Sequence, residues 1–245
     1  MTELLVARLE SHMPLEQADR AALLALPAQT RQFSARSSAI AGKLLDNHVH
    51  VIENGFACRY RDLPDGRRQI LSILVPGDII DLRQFVLGGT QPFLASISPL
   101  SMRAIPNDHL FRLLETSPRA TRALWSTTLV EESISREWLV SIGKRSALER
   151  VAHLLCEIYL RLDAVGHSSG PRFPLPLTQS ELADVLGLST VHVNRTLQEL
   201  RKSGLISFQS GIVEIFDFSA LATLGLFSSG YLHLRARSKP QPISA

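Results

Sequence analysis

The stretch Thr178-Gln-Ser-Glu-Leu-Ala-Asp-Val-Leu-Gly-Leu-Ser-Thr-Val-His-Val-Asn-Arg-Thr-Leu-Gln-Glu-Leu200 decides how this chain is read. Thr178-Gln-Ser-Glu181 has the pattern of a capping box, in which the threonine side chain and the glutamate satisfy each other's backbone N–H groups. A short helix with Leu182, Val185 and Leu186 on its buried side follows, and Gly187 ends it where left-handed backbone is needed. Ser189 then caps a second helix. In that helix Val193, Leu197 and Leu200 fall on one face, and Val191, Asn194, Arg195 and Gln198 on the other. A small Ala183 at the crossing, Gly187 at the turn and Val193 as apolar brace have the spacing of a helix-turn-helix.

The exposed face carries Arg and Asn, the side chains best suited to bidentate reading of guanine and adenine. Directly downstream, Gly204-Leu-Ile-Ser-Phe208, Gln209-Ser-Gly211 and Ile212-Val-Glu-Ile-Phe216 read as a hairpin, which makes the unit a winged helix. Expected DNA contacts are Thr178, Gln179 and Ser180 at the first helix start, and Ser189, Thr190, Val191, His192, Asn194, Arg195 and Gln198 on the second helix. Gln209, Ser210 and Gly211 are expected at the wing tip, where a glycine lets backbone N–H groups approach phosphates. Phe208 and Phe216 are expected in the core.

Working outward, Ala147 to Leu162 is a periodic helix with Leu148, Val151, Leu154, Leu155, Ile158 and Leu162 on one face. Between it and the helix-turn-helix, Phe173 to Leu177 with its two prolines suits only a short edge strand. Upstream, Pro118 at a first helical position and Ser117 as cap start a long helix to about Ile142. Its larger apolar residues are Leu124, Leu129, Ile134, Trp138 and Ile142; Leu124, Ile134, Trp138 and Ile142 are expected to pair with a second copy, Trp138 as anchor, the alternative being that the helix packs on the barrel of its own chain. Gly143 and the following Lys144-Arg145 read as a hinge. From Gln32 to Ile105 short β-branched runs alternate with turns at Gly55, Gly66 and Gly77, the pattern of an antiparallel sandwich or barrel. Leu4 to Leu26 reads as two short amphipathic helices separated at Pro14.

Composition excludes several classes. The 245 residues are 45% hydrophobic and 20% charged, ordinary globular usage. No apolar run approaches the ~20 residues that span a bilayer, and no secretory signal pattern opens the chain, so the cytoplasm is the expected compartment. Two cysteines, Cys58 and Cys156, are too few for a disulfide framework or a four-thiolate iron–sulfur cluster. The net charge of +3 permits a nucleic-acid partner without establishing one. No phosphate loop, nucleophile elbow or metal-ligand cluster is found, so neither catalytic nor metal residues are assigned and the chain is not expected to be an enzyme.

The glycine-punctuated β-roll, the long helix, the run Lys144-Arg-Ser-Ala-Leu-Glu-Arg-Val-Ala-His-Leu-Leu155 and the winged helix together resemble the Crp/Fnr family of bacterial transcription regulators. The likeness covers about residues 10 to 220 and is most specific at Leu177 to Ile206. It implies an α+β chain: a double-stranded β-helix or jelly-roll sensor over residues 1–117, a dimerisation helix and hinge over 118–143, and a winged helix-turn-helix domain over 144–245 with a mobile tail from Ser228. It further implies a homodimer on a pseudo-palindromic double-stranded DNA site, with RNA polymerase as partner. Arg195 matches the family's base-reading arginine, and Gln179, Ser180 and Ser189 match phosphate-contacting positions. Val191 stands where well-known members have a base-reading glutamate, and it suits a thymine methyl better than a cytosine amino group.

The sensor half departs further from the resemblance. Cyclic-nucleotide-binding members hold the phosphate with an Arg-Ser or Arg-Thr pair, whereas no arginine precedes Ala95-Ser96 here. Gly77, Asp78, Arg83, Ala95 and Ser96 are the candidate effector pocket, with no cofactor required and cyclic AMP not expected as effector. The competing reading is a cyclic-nucleotide receptor whose output is ligand-dependent DNA or protein binding. His48 and His50 with Asp46 have a spacing usable for a metal, but a solvated strand face is the preferred reading. Cys58 is taken as structural, and Arg59, Arg61, Arg67 and Arg68 as solvated charges flanking a hairpin that alternatively meet an anionic ligand or RNA polymerase.

Overall fold

Pro14 lies between two helices, α1 (Glu3–His12) and α2 (Gln17–Leu24), because a proline ring cannot continue the first one. The computed structural model describes residues 2–38, 40, 47–80, 82–88 and 93–235, without the side chains of residues 83 and 84. The β-roll consists of β1 (Gln29–Phe33), β2 (His48–Asn54), β3 (Ala57–Asp62), β4 (Arg68–Leu74), β5 (Ile79–Ile80), β6 (Leu94–Ser96) and β7 (Leu100–Pro106), with helix α3 (Leu82–Leu87) before β6. Two antiparallel sheets result, in the orders β1-β7-β2-β5 and β4-β3-β6. The strand expected from Ala95 to Ile105 is divided into β6 and β7, which belong to different sheets.

The period of two along β2 sorts its side chains. Val49 and Val51 join Leu5, Leu9 and Ile105 under the flanking helices, while Ile52 joins Leu74, Ile80, Leu100 and Met102 inside the roll. His50 alternates with the valines and is fully buried, so the solvated face expected for His48 and His50 is corrected. Asp46, their third candidate ligand, lies outside the described residues.

Helix α4 (Asn107–Thr116) leads to α5 (Pro118–Lys144), whose cap Ser117 accepts from Ala120 N at 3.0 Å. Gly143 does not interrupt α5. The break falls at Arg145, after which Ser146 and Glu149 form a capping box that starts α6 (Ala147–Asp163). Then come β8 (Arg172–Pro174), α7 (Gln179–Leu186), α8 (Thr190–Lys202), the hairpin β9 (Ile206–Gln209) and β10 (Ile212–Ile215), α9 (Phe218–Leu224) and a short 3₁₀ turn at Ser229–Leu232. The edge strand β8 pairs with β10.

Two expectations at the C-terminus are corrected. The segment from Ser228 is docked as far as Arg235: Leu232 is buried, and Arg235 N donates to Ser11 O at 2.9 Å. Arg237 and Lys239 lie outside the described residues. Phe216, expected in the core, is 58% exposed, because Val213 and Ile215 take the inward register of the hairpin and the next residue turns out.

The winged domain is not a separate globule. Val151, Leu155, Leu182 and Val193 share one apolar cluster with Phe56, Ile70, Ile73 and Ile97 of the β-roll. At the rim Gln69 Nε2 donates to Val185 O at 3.3 Å, and Arg36 pairs with Glu181 at 3.3 Å.

Candidate nucleic-acid interface

Local chemistry builds the reading unit. Thr178 Oγ1 accepts from Glu181 N at 3.1 Å while Thr178 N donates to Glu181 Oε2 at 2.7 Å, closing the capping box of α7. Gly187 has φ 62° and ψ 38°, and Leu188 N donates to Ala183 O at 3.1 Å, the closing bond of a Schellman turn. A side chain at Gly187 meets only ordinary contacts, so left-handed backbone is what the position demands. Ser189 Oγ accepts from His192 N at 3.3 Å and caps α8. Val193 and Leu200 are fully buried against α6 and α7.

That packing turns one face of α8 outward. Thr190, Val191, His192, Arg195 and Gln198 are exposed, Val191 at 75%, alongside Gln179, Ser180 and Ser189. Asn194 is half-buried on the same face, and its Nδ2 donates to Gln179 Oε1 at 3.0 Å. The wing turns through Ser210 and Gly211, with φ 50° and 74°, the paired positive values of a tight I′ hairpin. Leu175 N donates to Gly211 O at 2.7 Å, tying the wing tip to the chain entering α7.

One residue the sequence reading passed over aligns this unit with α5. Arg150 donates to three backbone carbonyls: Nη2 to Ile142 O at 2.7 Å, Nε to Arg145 O at 2.9 Å and Nη1 to Leu186 O at 2.9 Å. The end of α5, the break at Arg145 and the end of α7 thus share one guanidinium. Its signal in the sequence was only an arginine near the start of α6, beside the apolar stripe.

The expected effector residues behave differently. Asp78 is buried between Arg8 at 2.9 Å and Arg161 at 2.6 Å, and it accepts from Val75 N at 2.8 Å. Burial alone raises its pKa, but the two guanidiniums and the amide outweigh that and hold it below the usual carboxylate range. Arg161 continues to Glu157 at 3.1 Å, and Glu157 also accepts from Trp138 Nε1 at 3.0 Å and Tyr231 Oη at 2.9 Å. This network crosses from α1 through the roll into α6, α5 and the C-terminal turn. Asp78 is therefore a strut between domains, and the effector assignment is corrected. Ser96 is corrected as well: its hydroxyl donates to Ser34 O at 2.6 Å and accepts from Ser37 N at 2.9 Å. Ala95 and Gly77 are buried, and Gly77 packs against Val165 and Arg8. The side chain of Arg83 lies outside the described residues.

An open groove of about 1030 Å³ lies elsewhere between the roll and α5, lined by Tyr60, Phe85, Phe93, Leu124, Trp125 and Thr128. Above it Arg61 stacks on Phe93, and Arg68 stacks on Tyr60 while pairing with Asp62 at 2.8 Å. Arg67 pairs with Asp65 at 2.7 Å, and Arg59 lies 3.7 Å from Glu131. Burial pushes the Cys58 thiol up to about 12, which leaves it without thiolate character at neutral pH.

The dimerisation set is corrected in part. Leu124, Ile134 and Trp138 are buried within one chain, Trp138 against α6 with its indole N–H on Glu157. Ile142 remains exposed, and it is joined on α5 by Trp125, Leu129, Leu139 and Val140. The imperfect apolar stripe concealed this, because α5 is apolar on two sides.

A β-roll joined by a long helix to an exposed winged helix-turn-helix defines a DNA-binding regulator. Residues 149–224 match the Crp-like helix-turn-helix domain, and residues 31–117 match the cyclic nucleotide-binding domain. The chain is 30% identical over 186 residues to the nitrogen fixation regulation protein FixK of Bradyrhizobium diazoefficiens, covering 76% of this chain and 77% of that one. It is 31% identical over 199 residues to the transcriptional activator protein FnrL of Cereibacter sphaeroides, covering 78% of each. The structure of FixK2 from Bradyrhizobium japonicum shares the fold with a TM-score of 0.67 at 24% identity, covering 81% of this chain and 98% of that one. The chain belongs to the Crp/Fnr family and is a DNA-binding transcriptional regulator.

Proposed function

We propose that two copies pair along α5 and read a two-fold symmetric site in duplex DNA through α8. The observation that carries the reading is the outward face of Val191, Arg195 and Gln198, flanked by exposed Gln179, Ser180 and Ser189 and by the wing tip. In the dimer two such helices enter successive major grooves about 34 Å apart. Arg195 presents two donors to guanine O6 and N7, and Val191 presents a methyl surface to thymine. Thr190, His192, Gln209, Ser210 and Gly211 are placed as flanking contacts to the sugar-phosphate backbone. Pairing is supported by Trp125, Leu129, Leu139 and Ile142, which leave apolar surface along the 27-residue helix.

Duplex selection from a randomised library tests the reading. The wild type should recover a symmetric site, and Arg195→Ala should lose about 1–3 kcal/mol per half-site while relaxing the guanine preference. An unchanged profile would show α8 to be misassigned. Leu129→Glu with Leu139→Glu should shift the sedimentation of the free protein from dimer to monomer.

The β-roll acts as the sensor in this reading, without a resident cofactor, and any effector enters the apolar groove beside Trp125. Cyclic AMP is not that effector, because Asp78 and Ser96 are held by Arg8, Arg161 and backbone groups, and Ala95-Ser96 lacks a preceding arginine. Selection repeated with cyclic AMP tests this, a nucleotide-dependent site being the contrary outcome. The compartment is the cytoplasm, where the DNA of a bacterial cell lies, and RNA polymerase is the partner on which a bound regulator acts.

A further inference from the structure

We propose that Gln179 and Asn194 work as one composite contact, binding a DNA phosphate at one end and an adenine edge at the other through a single pair of amides. The proposal rests on the assignment of α8 as the reading helix and deepens it. Asn194 shares the reading face with Val191, Arg195 and Gln198, yet it alone of the four is half-buried. Beside it stands Gln179, the first residue of α7, whose Oε1 accepts from Asn194 Nδ2 at 3.0 Å.

That bond uses one of the two Nδ2 hydrogens and leaves Asn194 Oδ1 untouched. What remains on Asn194 is one donor and one acceptor side by side. Adenine shows the complement in the major groove, an N7 acceptor and an N6 donor. At the other end Gln179 has committed its oxygen to Asn194, so both Nε2 hydrogens remain for an anion. Gln179 and its neighbour Ser180 are exposed at the edge of the reading face, where phosphate oxygens flank a helix lying in the groove.

The mutual bond also orders both side chains before DNA arrives. A free asparagine amide on a groove-facing helix loses rotamer entropy on binding, and a pre-set one loses less. Adenine preference at the base pair facing Asn194 therefore depends on Gln179, a residue that touches no base. Arg195, one residue on, reads its guanine independently of the pair.

The test is duplex selection with the full-length protein and its Asn194→Ala, Asn194→Asp, Gln179→Ala and Arg195→Ala variants, followed by affinity measurements on the recovered sites. All three positions are at the surface or half-buried, and thermal unfolding confirms that each variant folds. Asn194→Ala should abolish an adenine preference at one position of each half-site, a loss of about tenfold or more in discrimination. Asn194→Asp, which keeps the acceptor and loses the donor to both Gln179 and N7, should do the same. Gln179→Ala should weaken binding to every sequence and also reduce discrimination at that adenine, with the guanine preference intact. Substituting 7-deazaadenine at that position should weaken the wild type and leave Asn194→Ala unaffected. Uniform weakening by Gln179→Ala with the adenine preference unchanged overturns the coupling, as does an Asn194→Ala profile identical to wild type. If Arg195→Ala also leaves every position unchanged, the reading helix itself is misassigned and the proposal falls with it.

Discussion

The winged helix and the β-roll put similar polar residues to opposite uses. On α8, the side chains picked out by periodicity stay at the surface, and Asn194 is tied to Gln179 of the neighbouring helix. In the roll, Asp78 and Ser96 looked like a receptor, but both are buried and bound by their own chain. The difference lies in what packs above each loop. Among the described residues nothing covers the outward face of α8, whereas α1 and α6 close over the Pro76-Gly77-Asp78 turn and bring two arginines to the carboxylate. A loop acid becomes a ligand contact only when no element of the chain reaches it first.

The sharpest way to break this contrast is Asp78→Ala. It leaves Arg8 and Arg161 buried without their shared counter-charge, and it should destabilise the fold by about 3–5 kcal/mol in denaturant unfolding. A stable variant with altered effector response instead would return Asp78 to the receptor. Trp138→Phe comes next: losing the indole N–H bond to the buried Glu157 should remove about 1–3 kcal/mol. Association measured by sedimentation should stay unchanged, separating Trp138 from the exposed stripe of Trp125 and Leu139. Gly187→Ala forces a Cβ into left-handed backbone and should lower stability by about 1–2 kcal/mol, read as a lower thermal midpoint.

A smaller effect follows pH. Burial, reinforced by Arg145, lowers His153 from its ordinary 6.5 to about 4, and burial with Arg8 lowers His12 to about 4 as well. The unfolded chain binds these protons first, so their stabilising contribution is complete above pH 6.5 and is lost as the pH falls toward 4. Denaturant midpoints between pH 7 and 5 should therefore fall less steeply for His153→Gln than for the wild type. The smallest effect is Arg67→Ala. Its exposed pair with Asp65 should leave stability unchanged within error, as for most surface ion pairs.

Much of the reading unit was legible because its determinants are local. The capping box at Thr178, the left-handed Gly187, the cap at Ser189 and the three-and-four spacing of α8 each lie within a few residues. The long helix shows where this stops. Its start at Ser117 is local and was placed correctly, but which of its apolar faces turns inward depends on where α6 packs. Trp138 goes inward because Glu157, nineteen residues on, offers its indole a buried acceptor. The C-terminal segment repeats the lesson: Tyr231 and Leu232 carry no local signal for docking, yet α6 provides Glu157 and His153 for the tyrosine hydroxyl.

By itself, then, the amino-acid order determined the helix-turn-helix and its wing, which rest on contacts within a turn or a hairpin, and the strand-and-turn pattern of the roll, whose sheets close through distant pairs such as Gln29 with Ala104. Only the tertiary structure decided that Asp78 joins Arg8 and Arg161, that Arg150 gathers three helix-end carbonyls, and that Asn194 leans on Gln179. Those pairings bring together residues far apart in the chain. A buried charge or amide takes whichever partner the packed helices bring within hydrogen-bond reach, and sequence spacing does not encode that choice.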